Sequence, residues 1–279
     1  MGISPIEYRP WKGKRTSKLN RVIEIIKQVV NSKIKSAGVL ILLIVGILLV
    51  HTFPIILQSL QPHERLTANM LIGQGLFGQY LKGAPFAIFS ILLASVVSAD
   101  IIAEDLKNNS FILYFSRPIR PSDYILGKIG AGFTIMSLFC LLPPVIFGVA
   151  VILTQTGTDY NTSLEVLGRT VIAGSFTCAL YLFYGVMLSS FTKRRAYAGV
   201  GTFMSFFVLT LLAELFSGFD SNWLLISPIN ILHYTYNIIY GFDFPQNLNY
   251  NLYLLILFSL ILIPLGVVYY RIYRRWSGI

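Results

Sequence analysis

The chain has 279 residues, 55% of them hydrophobic and only 12% charged, and a mean hydropathy of +0.68. A soluble domain carries roughly twice that charged fraction, so composition excludes an ordinary water-soluble domain and points to long apolar runs. The formal net charge of +10 raises nucleic acid as a partner, while two cysteines inside apolar runs and three scattered histidines offer neither a disulfide framework nor metal-ligand spacing.

Residues 1–16 are basic, hold two prolines and read as an irregular arm. Residues 1–36 are too long a polar lead for the n-region of a cleavable signal peptide, and no small-residue cleavage site follows, so the first apolar run is expected to act as the insertion signal. From Ser17, a plausible N-cap, Leu19, Val22, Ile23, Ile26, Val29 and Val30 recur at helical steps, with Lys18, Arg21, Lys27, Gln28, Asn31 and Lys35 on the other face. The pattern predicts a basic amphipathic helix lying in the headgroup layer of a lipid bilayer. The alternative is a short soluble helix packed on the protein.

Six apolar runs follow, at 37–60, 84–103, 129–154, 170–191, 198–219 and 252–270. At 1.5 Å per residue such lengths match a hydrocarbon core of roughly 30 Å. Pro54, Pro143-Pro144 and Pro264 predict kinks, which are tolerable in a bilayer only inside a packed bundle. The expected fold is all-α: a polytopic membrane protein with an arm and interfacial helix at 1–36 and six transmembrane helices within 37–279.

The connections set the orientation. With both termini in the cytoplasm, all of the 22 basic residues except Arg65, Lys82 and Arg169 lie on the inner side, as the positive-inside rule requires. Because the charge follows the membrane side, the nucleic-acid reading loses its support, and a multi-pass protein of the plasma membrane is expected. On the outer side, 61–83 is glycine-rich and reads as partly re-entrant, and 155–168 as a short polar loop. Segment 220–250 lacks Lys and Arg but is rich in aromatics, which suits a short helix at the outer interface. A full span at 224–240 would reverse the last span and place Arg271, Arg274 and Arg275 outside.

Between the second and third spans, 100–128 opens on Asp100, Glu104 and Asp105, of which the first two share a helix face. An apolar run from Phe111 through Tyr114 to Phe115 follows, and then Arg117-Pro118-Ile119-Arg120-Pro121, whose prolines break any helix. Asp123 is placed to cap the next helix, which enters the membrane at Gly127-Lys128. This is a helix-break-helix elbow whose apolar patch has a charged rim, as a docking surface would. The same patch would suit a helix resting on lipid.

Glu104, Ser110, Arg117, Pro118, Tyr124, Gly127 and Lys128, in that order, resemble the cytoplasmic loop of ABC-2-type permeases, the membrane subunits of one class of ABC transporters. Asn108 and Asn109 stand where that family commonly has Gly, and Pro121 where it has the turn's Arg. The resemblance implies that the loop is a coupling helix seated in a separate ATPase subunit, with Asp100, Glu104, Asp105, Phe111, Tyr114, Arg117, Pro118, Arg120, Tyr124 and Lys128 at that interface. It implies two ATPase subunits that bind the ATP and Mg, and a second permease subunit, identical or related. No GxxxxGK[ST] phosphate loop occurs in this chain; Gly127-Lys128 lacks both the upstream Gly and the following hydroxyl. Chemical energy is therefore expected from a partner chain, or else from a gradient, and no cofactor or metal is expected here.

His51 and Glu214 are the ionisable groups in the outer parts of spans and are the candidate substrate path. His51 also fits simple packing, and Glu214 an interfacial carboxylate. The middle thirds of the spans hold almost no such group, which argues against a proton relay. Gly127, Gly130 and Gly132 suit close helix approach. Ser189 and Ser190 have no His–Asp constellation nearby. The reading is an ATP-driven exporter's permease subunit; the alternative is a polytopic membrane enzyme or a scaffold without transport.

Overall fold

The computed structural model describes residues 17–52, 81–115, 119–154 and 160–278, and among these the secondary structure is helical throughout, with no strand. Pro54, the glycine-rich part of 61–83 up to residue 80, Arg65, Arg117 and Pro118 lie outside the described residues.

Helix α1, Lys18–Ile34, starts where Ser17 Oγ accepts the Asn20 N–H at 3.3 Å. It turns by 78° into α2, Ala37–Gly46, which continues as a π-helical turn, Ile47–Thr52. Then come α3, Ala84–Ser98, and two one-turn helices, α4, Ala103–Lys107, and α5, Phe111–Phe115. Helix α6, Pro121–Cys140, bends by 42° into α7, Leu142–Thr154, where Pro143 and Pro144 remove the N–H donors needed to continue the helix. Helices α8, Tyr160–Ser189, and α9, Arg195–Phe216, precede a 3-10 turn at Ser221–Ile226. Last are α10, Pro228–Tyr240, and α11, Tyr250–Trp276, the latter with Pro264 inside it.

Four helical stretches are long and apolar enough to cross a bilayer alone, and six spans result if each bent pair is one span. The helices outrun the apolar stretches that announce them. Helix α6 begins at Pro121, whose missing N–H costs nothing in a first turn, so Arg120 rather than Asp123 takes the cap position. Helix α8 begins at Tyr160 and takes up most of the expected polar loop at 155–168.

The core is contiguous, built from α2, α3, α6, α8, α10 and α11. Glycine sets the close approaches. A Cβ at Gly127 would sit 2.7 Å from Ile25 Cγ2, one at Gly130 2.9 Å from Ile26 Cδ1, and one at Gly132 2.7 Å from Leu182 Cδ1. Helix α1 is thus packed along the start of α6. Its apolar sector is wide enough for two partners: Ile25 is buried on α6, while Leu19 and Ile23 face outward.

Helix α10 has 13 residues, about 20 Å at 1.5 Å per residue, too short to span. Tyr236 and Tyr240 hydroxyls meet Thr177 Oγ1 (2.6 Å) and Thr170 Oγ1 (3.1 Å) on α8, and Thr235 meets Tyr253 on α11 at 2.8 Å. Gly241, at φ 79°, closes its C-terminus. Lys82 and Arg169, two of the three cations expected outside, gather there: Lys82 bonds Asn237 and lies 4.7 Å over the Phe242 ring, and Arg169 lies against Gly241. Cations at a helix C-terminus complement its dipole.

Candidate functional site

The opposite end holds several of the other described cations. Lys33 lies at the end of α1, Lys128 near the start of α6, Arg195 at the start of α9, and Arg271 and Arg275 in the last turns of α11. This basic end holds the elbow formed by α4, α5 and the chain between α3 and α6.

The elbow is pinned at three places. Ser189 Oγ, at the end of α8, accepts the N–H groups of Ile102 (3.2 Å) and Ala103 (3.1 Å) and lies 3.2 Å from the Ala99 carbonyl, to which it donates. These are backbone groups of the break between α3 and α4, which a helix cannot satisfy itself. Asp105 is buried, and its Oδ2 receives both the Lys128 ammonium and the Tyr124 hydroxyl, each at 2.6 Å. Lys128 in turn lies 5.6 Å above the Tyr124 ring and 5.8 Å above that of Tyr114. Lys33 pairs with Asp100 and donates to the Val97 carbonyl at 2.8 Å. It thereby gives the uncapped end of α3 a cation.

Phe111 is buried beside Tyr124 (5.5 Å between centroids), and Arg275 lies 5.8 Å from the Phe111 ring. Tyr114 packs edge-on to Tyr124 at 5.1 Å; burial and the nearby Asp105 charge push its phenol pKa up. The same one-turn helix turns Ile112 (59% exposed) and Leu113 (72% exposed) outward. Asn109, at φ 51°, makes the turn that aims α5 this way, a conformation Asn tolerates better than most residues. A groove of about 650 Å³ separates α1 from this surface, lined by Arg21, Glu24, Glu104, Asn108, Leu113 and Tyr114 among others.

The residues expected at a partner interface therefore divide. Asp105, Phe111, Tyr124 and Lys128 are a buried frame, Asp100 is half-buried on Lys33, and Glu104 and Arg120 are exposed. Lys33 and Ser189 also hold the elbow, a role that the sequence does not mark for either. Their partners lie 67 and about 90 positions away, so no local pattern announces them.

His51 and Glu214 are not brought together. His51 is buried with its ring edge-on to Phe139 (4.8 Å) and near Phe86 (6.0 Å). Glu214 is exposed, 3.4 Å from the Asn230 amide. No cluster of three metal-ligating side chains exists among the described residues.

The family model for the ABC-2 family transporter protein matches residues 22–275, from inside α1 to the last turn of α11. No curated protein matches the chain.

Proposed function

The chain belongs to the ABC-2 family of transporter proteins, and from that premise we propose that it is the permease subunit of an ATP-driven exporter, coupled through the elbow at 100–128 to separate ATPase subunits. The observation that carries this reading is the two-sidedness of the elbow. Its inner side is fixed to α3, α6 and α8 by buried polar contacts, and its outer side offers Ile112 and Leu113. An exposed apolar surface with a charged rim suits a docked partner. A displacement of that surface would be transmitted to three spans at once, as rigid-body switching requires.

In this reading the basic end is cytoplasmic, by the positive-inside rule. ATP and Mg are bound by the partner, whose closure favours one packing of the spans through differential binding. A second permease subunit, identical or related, completes the pathway. Glu214, open to the outer end, is the better of the two pathway candidates, because His51 is enclosed by aromatic rings.

Co-expression with a candidate ABC ATPase subunit, one that carries the phosphate-loop motif this chain lacks, tests the proposal. Wild-type protein should retain the ATPase through affinity purification, and Ile112→Asp with Leu113→Asp should release it while the permease still elutes as a folded species. A wild-type protein that never retains the ATPase would sink the reading.

A further inference from the structure

A second cavity at the basic end, about 540 Å³ in volume, lies between the α1–α2 corner, the end of α3 and the start of α9. Its size is within the range of ligand pockets, roughly 300–1,000 Å³. It is separate from the groove beside the elbow. Lys33, Ser36 and Arg195 stand at its polar rim, and Val96, Phe203 and Met204 line its apolar part. From Arg195 to Phe203 is eight positions along α9, about 12 Å towards the middle of the bundle. The cavity therefore has a polar mouth at the level of the helix ends and an apolar body running beside the spans.

The charges at the mouth do not balance. Lys33 is committed to Asp100 and to the Val97 and Val96 carbonyls, the latter two at 2.8 and 3.4 Å. Arg195 makes no ion pair among the described residues and is exposed. No side chain caps the first turn of α9, so its N–H groups add to the positive potential at the same rim. The pocket thus presents one surplus cation above an apolar cleft. Basic pockets between transmembrane helices on the cytoplasmic side suit anionic phospholipid headgroups.

We propose that this cavity is a binding site for an anionic phospholipid of the adjoining leaflet, its phosphate on Arg195 and an acyl chain along Val96, Phe203 and Met204. The site places a lipid at the 78° corner where α1 turns into the spans. Its occupancy does not depend on whether an ATPase docks at the elbow.

A tryptophan probe tests it. Phe203→Trp is introduced into a chain whose Trp11, Trp223 and Trp276 are replaced by Phe, and the protein is reconstituted in vesicles mixing phosphatidylcholine with phosphatidylglycerol, one of them brominated on its acyl chains. Brominated phosphatidylglycerol should occupy the site in about fivefold preference to phosphatidylcholine, the enrichment expected for one cation near the surface, and quench accordingly. Arg195→Gln should remove the preference and Arg195→Lys retain most of it. Equal quenching by the two lipids, or a preference that survives Arg195→Gln, would overturn the proposal.

Discussion

Lys128 and Asp105 are both nearly out of water, and removing either leaves the other's charge uncompensated in a poorly solvated place. Lys128→Met is therefore expected to destabilise the protein by about 3–5 kcal/mol. Tyr124→Phe removes a single hydrogen bond to a charged acceptor and should cost less, about 1.5–3 kcal/mol. Thermal unfolding in detergent ranks the two variants, and equal losses would contradict the assignment of Lys128 as the charge partner. Lys33 behaves differently, because its pKa is drawn from the ordinary 10.5 down to about 7. Burial is the main cause; Glu104 opposes the shift, and Lys128 and Arg195 add to it. Between those two pH values the unfolded chain holds a proton that the folded chain has released, so folding stability rises with pH across that window; below it both states are protonated and this group gives no pH dependence. Stability measured from pH 6 to 10 should show that rise in the wild type and a flatter profile in Lys33→Met.

At the scale of elements, the contact between α1 and α6 rests on the missing side chain at Gly127. A leucine there would meet Ile25 at both Cβ and Cγ2, so Gly127→Leu should lift α1 from α6, at a cost of about 1–3 kcal/mol for overpacking. Limited proteolysis should then cut at Lys27 or Lys33 faster than in the wild type. Adding Ile25→Ala should slow the cleavage again by making room, and a double variant cut as fast as Gly127→Leu would show that the two residues do not meet. Part of this layer was legible in advance: apolar runs coincide with the four to six candidate spans among the described residues. The helix starts were not, because α6 and α8 continue through polar residues whose backbone is satisfied inside the helix whatever the hydropathy. Nor was the placing of α1. Its residues at 19, 23 and 25 belong to one broad apolar sector, and only the glycines of α6 decide that Ile25 faces protein while Leu19 faces outward.

For the whole molecule, the sequence marks the elbow as a charged, proline-broken connection, and the fold sorts its residues into a frame and a surface. Asp105, Tyr124 and Lys128 look from sequence like interface residues, yet they are spent holding the elbow to α6. Ile112 and Leu113, which a helical pattern of one turn cannot assign to a side, are what the elbow presents. The division follows from the turn at Asn109 and from Ser189, across the bundle at the end of α8. The central claim is that this surface meets the ATPase. Leu113→Cys, in a chain whose Cys140 and Cys178 are replaced by Ala, should form a cross-link to the co-expressed ATPase through a short thiol-to-amine reagent in native membranes. Leu255→Cys, on the exposed face of α11 within a span, should not. A cross-link of comparable yield from both positions, or none from Leu113→Cys while the two subunits remain associated, would contradict the account.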